Sequence, residues 1–189
     1  MEILKQRILK DGQAIGIGIL KVDSFLNHQL DVELLNEIGK EFHKRFSDVE
    51  ITKILTIEAS GIGIACMTAL YFNVPVVFAK KAEPSTMVDG AYQAKVHSFT
   101  KNKDYNISVS KKYLTQSDKV LIIDDFLAKG GALQGLEDIV RQSGAQLVGA
   151  GIVIEKAFQE GGKSLRDKGV RIESLAVIQS IMDNEIKFY

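Results

Sequence analysis

The chain has little of what marks a secreted, membrane-bound or nucleic-acid-binding protein. Its 189 residues contain one cysteine, Cys66, which excludes an intrachain disulfide and a thiolate metal cluster. A lone thiol suits a reducing compartment, so the cytoplasm is the expected location. No apolar run reaches the roughly 18 residues that a spanning helix needs. The first ten residues carry charge every few positions and lack the apolar core of a signal peptide. No membrane partner is therefore expected. Lysine and arginine total 24, and so do aspartate and glutamate, for a formal net charge of zero. That balance leaves no electrostatic footprint for nucleic acid, and no nucleic-acid partner is expected. Prolines are confined to Pro75 and Pro84, and no low-complexity linker interrupts the chain. Residues 1–189 are expected to fold as one domain.

Apolar periodicity supplies the elements. Asp31 is a plausible N-cap for a helix to about Phe46, with Leu34, Leu35, Ile38 and Phe42 on one face. Strands are expected at Ile51–Ile57, Val74–Ala79, Val120–Ile123 and Gln146–Ile154, with helices from Gly61 to about Phe72 and from Ala132 to Gln142. This β-α-β rhythm gives an α/β fold, a parallel twisted sheet flanked by helices. Lys80 to Ser110 breaks the rhythm. Tyr92–Phe99 and Tyr105–Val109 alternate around Lys101–Asp104, which predicts a hairpin projecting from the sheet and serving as a lid, a dimer arm or both.

In an open parallel sheet, ligands bind beyond the carboxyl ends of the strands. There the sequence has Asp124 and Asp125, followed by Ala128, Lys129, Gly130, Gly131 and Ala132 at a helix start. Glycines let backbone N–H groups converge on an anion, and the helix N-terminus adds partial positive charge. Two carboxylates beside such a loop accept hydrogen bonds from a vicinal diol. The pattern thus predicts a site for a phosphate and sugar hydroxyls together, against the plainer reading that the acids end a strand and cap a helix. A Walker A loop is absent. Gly61-Ile-Gly63 after a strand suggests dinucleotide binding instead, but Cys66 stands at the third small position and Lys80-Lys81 where an acid is wanted.

The segment Val120–Ala132 resembles the phosphoribosyl-diphosphate signature of the type I phosphoribosyltransferases. Leu20–Gln29, Thr56–Ile62, Pro75–Lys81 and Gly151–Phe158 extend the likeness in order along nearly the whole chain, toward the bacterial, adenine-enzyme-like branch that uses xanthine. The resemblance implies a hood built from the N- and C-terminal segments over the sheet. It also implies xanthine and 5-phosphoribosyl 1-diphosphate as substrates, Mg²⁺ carried by the substrate, no protein metal cage, and a homodimer. One departure is visible: Lys129 and Ala132 stand where the family's phosphate loop usually has hydroxyl residues, so backbone donors and the Lys129 ammonium would carry that contact.

The same resemblance implies residue roles. Asp124 and Asp125 would hold the ribose hydroxyls, and Ala128–Ala132 the 5-phosphate. Ala59, Ser60 and Gly61 would offer N–H groups to the diphosphate, through a strained or cis peptide, although a plain helix cap reads almost as well. Lys80 and Lys81 would meet the same group, where solvated lysines are the plainer reading. Leu20, Asn27 and Lys156 would receive the base. Asn27 is both donor and acceptor, and Lys156 is a charged donor, which suits a dioxopurine edge. Phe158 is either a stacking partner or core, and Glu58 is either a buried strand-end acid or a site group. His28 and His97 are expected to be structural or surface residues. Two other functions fit the same pattern: transfer to a different purine, and a non-catalytic sensor of phosphoribosyl diphosphate.

Overall fold

The computed structural model describes residues 1–82, 90–98, 103–182 and 184–189. An opening helix α1 (Glu2–Asp11) is followed by a short hairpin, β1 (Gln13–Ile15) and β2 (Ile19–Lys21), and a single π-helical turn over Asp23–Asn27. The body then runs α2 (Val32–Arg45), β3 (Lys53–Ile57), α3 (Ser60–Phe72), β4 (Val76–Ala82), β5 (Ala91–Ser98), β6 (Lys103–Ser110), β7 (Lys119–Leu127), α4 (Gly131–Ser143) and β8 (Gln146–Lys156). A 3₁₀ turn at Ala157–Gln159, α5 (Gly161–Asp167), β9 (Ile172–Met182) and β10 (Glu185–Phe188) complete it.

Local chemistry accounts for the helix ends. The Asp31 side chain accepts from the Leu34 N–H at 3.1 Å, satisfying one of the donors that a helix start leaves unpaired. His43, Lys44 and Arg45 occupy the last turn, where positive charge meets the negative end of the helix dipole. In between, Leu34, Leu35, Ile38 and Phe42 face inward, as their spacing predicts.

Eight strands form one sheet in the order β10-β9-β8-β7-β3-β4-β6-β5. The five strands from β9 to β4 are mutually parallel, as expected, whereas β10 joins β9, and β6 joins β4, antiparallel. The sheet is therefore mixed at its edges. The β5–β6 hairpin does not stand clear of it: Lys80, Lys81 and Ala82 pair with Ser108, Ile107 and Asn106, so the hairpin continues the sheet. The segments 83–89 and 99–102, on which much of the lid reading falls, lie outside the described residues.

Two apolar clusters cover the two faces. One gathers α1, α2 and α3 with Phe25, Phe42 and Ile54; the other gathers α4 and α5 with Ile107, Ile122 and Leu136. A strand covered on both faces cannot alternate, which is why Val120–Ile123 is continuously apolar and wholly buried. The terminal segments are tied to each other and to β9. The Met1 ammonium donates to Leu175 O at 2.5 Å, Lys5 Nζ to Tyr189 O at 2.6 Å, and Gly18 N to Ile181 O at 3.2 Å.

Candidate active site

The acid pair lies inside β7 rather than beyond it. Asp124 pairs with Ile152 and Phe126 with Ile154 of β8, so the ladder runs past the carboxylates to Leu127. Both acids are buried. Burial, followed by the charge of Asp125 next door, pushes the Asp124 carboxyl well above the ordinary aspartate range. Asp124 Oδ1 accepts from the Asp125 N–H and Asp125 Oδ1 from the Phe126 N–H, both at 2.9 Å.

The loop after β3 presses against this pair. The Glu58–Ala59 peptide is cis. Glu58 N donates to Ala79 O at 3.1 Å, and Glu58 Oε1 accepts from Lys81 N at 2.6 Å, so Glu58 ties the β3 loop to β4. Ser60 starts α3. Gly61 sits so close that a Cβ there would lie 2.0 Å from Thr56 Oγ1 and 3.5 Å from Asp124 Oδ1. Gly61 thus stands at the acid pair, with Ala59 and Ser60 immediately before it in the chain.

The two lysines part company because adjacent residues in a strand face opposite sides. Lys81 Nζ lies 5.5 Å from the centre of the Tyr105 ring, and its charge offsets a small part of the upward shift at Asp124. Burial, with the charge of Asp124, in turn raises the Tyr105 phenol. Lys80 pairs with Ser108 and lines a different cleft with Phe78 and Tyr113. The structure brings Lys81 to the acids and leaves Lys80 apart from them.

Past Leu127 the chain turns into α4. Gly130 adopts φ +84° and caps the helix, a conformation that suits glycine. Ala128, Lys129, Gly130, Gly131 and Ala132 line a cleft of about 190 Å³ with His97, Tyr105, Phe126 and Gln159. Unpaired N–H groups at the start of α4 and the dipole of the helix favour an anion there.

The hood supplies the opposite wall. Asn27 ends the π turn, and its Nδ2 donates to Asp125 Oδ2 at 3.2 Å. Lys156, the last residue of β8, donates to Gly18 O at 2.9 Å and sits 5.4 Å from the centre of the Phe126 ring. Burial lowers its pKa. Leu20 is buried in the hood near Gly12. Phe158 is partly exposed beside Gly18, outside the two buried clusters. His28 has no described partner in the site. His97 pairs through Nδ1 with Asp104 at 2.7 Å and lines the cleft at the start of α4.

Sequence reasoning did not single out Tyr105, Phe126 or Gln159. Phe126 was within reach, since it follows the acids by one residue. Tyr105 meets Lys81 only because β6 pairs with β4, and no local pattern signals that.

This arrangement can hold an anion at α4, hydroxyl donors at Asp124 and Asp125, and a planar polar group between Asn27, Phe126 and Lys156. The phosphoribosyl transferase domain model matches residues 21–181. Xanthine phosphoribosyltransferase of Clostridium novyi is 62% identical over 188 residues, covering 100% of this chain and 99% of that protein. Its counterpart in Ruminiclostridium cellulolyticum is 63% identical with the same coverage. Among solved structures, the adenine phosphoribosyltransferase of Giardia lamblia with 9-deazaadenine superposes with a TM-score of 0.75, at 22% identity over 92% of this chain and 96% of that one, a likeness of fold. The matched span contains the acid pair, the glycine loop, Asn27 and Lys156, and the chain belongs to the phosphoribosyl transferase domain family.

Proposed function

We propose that this protein is a purine-salvage enzyme of one domain that transfers the 5-phosphoribosyl group from 5-phosphoribosyl 1-diphosphate to xanthine. The products are xanthosine 5′-monophosphate and diphosphate. The observation that carries this reading is the Asn27–Asp125 hydrogen bond, which sets a purine-edge amide directly beside a ribose-diol acceptor. The names of the full-length relatives support the choice of xanthine.

In this reading the 5-phosphate sits at Ala128–Ala132, held by backbone N–H groups and Lys129. Asp124 and Asp125 receive the ribose hydroxyls. Asp124, whose burial disfavours the anion, takes up charge more readily once Lys81 and hydroxyl donors surround it. Ala59, Ser60, Gly61 and Lys81 face the diphosphate. Lys80 lines the neighbouring cleft. Asn27 and Lys156 read the xanthine edge, Leu20 supports the wall behind them, and Phe126 with Phe158 offers flat apolar surface.

Displacement at the anomeric carbon passes through an oxocarbenium-like transition state. The protein lowers this barrier by holding both partners in line and fixing donors around the leaving group. The acid pair stabilises positive charge that develops on the ribose. Lys156 pairs with xanthine as its anion, so no protein base is required. The hood and hairpin shield the reacting carbon from water.

Among the described residues, no group of three His, Cys, Asp or Glu side chains is arranged to hold a metal. Two adjacent carboxylates form a donor set suited to an ion that brings its remaining oxygens from substrate and water. Asp124 and Asp125 would face a Mg²⁺ carried by the substrate, and that ion would supply charge neutralisation on the diphosphate. We further propose that the enzyme works in the cytoplasm as a homodimer, without nucleic acid or membrane. Among the described residues no helix is long and apolar enough to cross a bilayer.

The test is a competition assay with phosphoribosyl diphosphate, Mg²⁺ and equal concentrations of xanthine, guanine, hypoxanthine and adenine. Preferential formation of xanthosine monophosphate is expected. A preference for another base moves the specificity, and no nucleotide at all returns the protein to a sensor. Light scattering at working concentrations tests the dimer.

A further inference from the structure

The stretch from Glu155 to Arg166 touches both halves of the site. It opens at the end of β8 with Glu155 and then Lys156, whose ammonium faces Phe126 and Gly18. Phe158 packs on Gly18, and Gln159 lines the anion cleft. Gly161 then lies against the phosphate loop. Its N–H donates to Ala128 O at 3.1 Å, and a Cβ there would fall 2.3 Å from Ala128 O and 2.5 Å from Lys129 C. Nothing larger than glycine lets α5 back the loop so closely.

The two ends of this arm are joined by one ion pair. Arg166 Nη1 and Nη2 donate to Glu155 Oε1 and Oε2, each at 2.7 Å, and the Ser174 hydroxyl also donates to Glu155. Glu155 is only 3% exposed, so its charge depends on these partners. Burial pushes its carboxyl up, but the bonds from Arg166 and Ser174 and the charge of Arg166 outweigh that and hold it below the ordinary glutamate range. Gly162 is tied to the same pair: a Cβ there would lie 2.1 Å from Glu155 Oε1 and 2.8 Å from Arg166 Nη1.

We infer that Glu155 and Arg166 are positioning residues that staple this arm into a closed loop, so that the base pocket at Lys156 and the phosphate loop at Ala128–Gly130 move as one unit. Neither side chain needs to touch substrate. Binding at the anion cleft sets Gly161, the closed arm transmits that placement to Lys156, and the two ligands then favour each other's binding. The inference rests on the base and phosphate assignments proposed above and adds the coupling between them. Coupling between sites is reciprocal, so it is visible from either ligand.

The experiment measures the Kd of xanthine by calorimetry with and without saturating ribose 5-phosphate, and the KM of each substrate. It uses the wild type, Arg166→Ala, Arg166→Lys, and the neutral pair Glu155→Gln/Arg166→Gln. In the wild type, ribose 5-phosphate should tighten xanthine binding by about fivefold or more, within the usual range of coupling between sites. Arg166→Ala should abolish that effect and raise both KM values by about tenfold, since small misplacements of binding groups are costly. Arg166→Lys, which keeps one bond to Glu155, should recover part of both. The neutral pair leaves no unpaired buried charge, and it stands in if Arg166→Ala does not fold. The inference is overturned if ribose 5-phosphate leaves the xanthine Kd of the wild type unchanged. It is equally overturned if the folded variants lose melting temperature while coupling and both KM values stay within about twofold of wild type. A wild type that binds phosphoribosyl diphosphate but does not use xanthine would instead sink the proposed function.

Discussion

Asn27 reaches across 98 positions of sequence to donate its amide to Asp125 Oδ2 at 3.2 Å, and this one bond joins the hood to the end of the central strand. The amide N–H is spent on the carboxylate. A ribose hydroxyl that claims Asp125 would free the amide for the base. Asn27→Ala should therefore raise the KM for xanthine by about tenfold or more, a hydrogen bond's contribution in a desolvated site, with a smaller effect on the KM for phosphoribosyl diphosphate. Steady-state kinetics with each substrate varied in turn checks this. A larger effect on the diphosphate substrate than on xanthine would remove Asn27 from the base pocket.

Asp124 should show opposite effects on stability and activity. Its pKa is raised in the folded protein by burial and by Asp125, so the folded state resists losing that proton. The sign follows from linkage. The unfolded chain ionises Asp124 near the usual value, the folded one only at higher pH, and stability is lost as pH rises through that window. Asp124→Asn removes the penalty. The variant should melt a few degrees higher than wild type at neutral pH, at about 2–4 °C per kcal/mol for a chain of this size, and should have lost most of its activity. At pH values below the ordinary aspartate range the melting difference should vanish. A variant less stable than wild type at neutral pH would show that Asp124 is stabilised as an anion.

What the sequence made legible was local. Asp31 as a cap, the inward face of α2 and the buried run Val120–Ile123 each depend on neighbours within a turn or a strand. The extent of β7 did not follow, because Asp124 and Phe126 are held in it by Ile152 and Ile154 of a different strand. The divergence of Lys80 and Lys81 was hidden for the same reason: β4 runs to Ala82 only because β6 pairs with it, and strand parity then separates the two side chains. The glycine loop and acid pair suggested, from sequence alone, the phosphate-and-diol site proposed above. Their link to Asn27, Lys156 and Tyr105 was not readable from spacing, since chain reversal and sheet order create it. Family resemblance supplied Asn27 and Lys156. Neither spacing nor resemblance pointed to Tyr105 or the Glu155–Arg166 pair.

Gly61 has no room to grow. An alanine methyl would meet Thr56 Oγ1 at 2.0 Å, and Thr56 is a fully buried side chain whose hydroxyl has no hydrogen-bond partner among the described residues. Gly61→Ala should destabilise the protein by about 1–3 kcal/mol, the usual range for overpacking, and displace Ala59 and Ser60 from Asp124. Removing the obstructing hydroxyl should offset much of that. In a double-mutant cycle measured by urea unfolding, Thr56→Ala/Gly61→Ala should be more stable than the sum of the single losses predicts. Additive losses would mean that the alanine finds its space by moving something other than Thr56.

Lys156 links specificity to pH. Its ammonium donates to Gly18 O at 2.9 Å and is held beside Phe126, so the pocket wall carries one compact charge and not a planar guanidinium. Lys156→Met should raise the KM for xanthine by about ten- to a hundredfold, the contribution of a hydrogen bond to a charged group, and Lys156→Arg should restore little of it. Because burial lowers the Lys156 pKa, the folded protein surrenders this proton at lower pH than an exposed lysine would. The cost of burying the charge is relieved as pH rises through that window, so stability gains while the base pocket loses its cation. On the alkaline side the wild-type KM for xanthine should therefore climb more steeply than the Lys156→Met value does. Both profiles are compared above the pH at which free xanthine is fully ionised, so the difference between them reports Lys156. Parallel profiles would show that the lysine charge takes no part in holding the base.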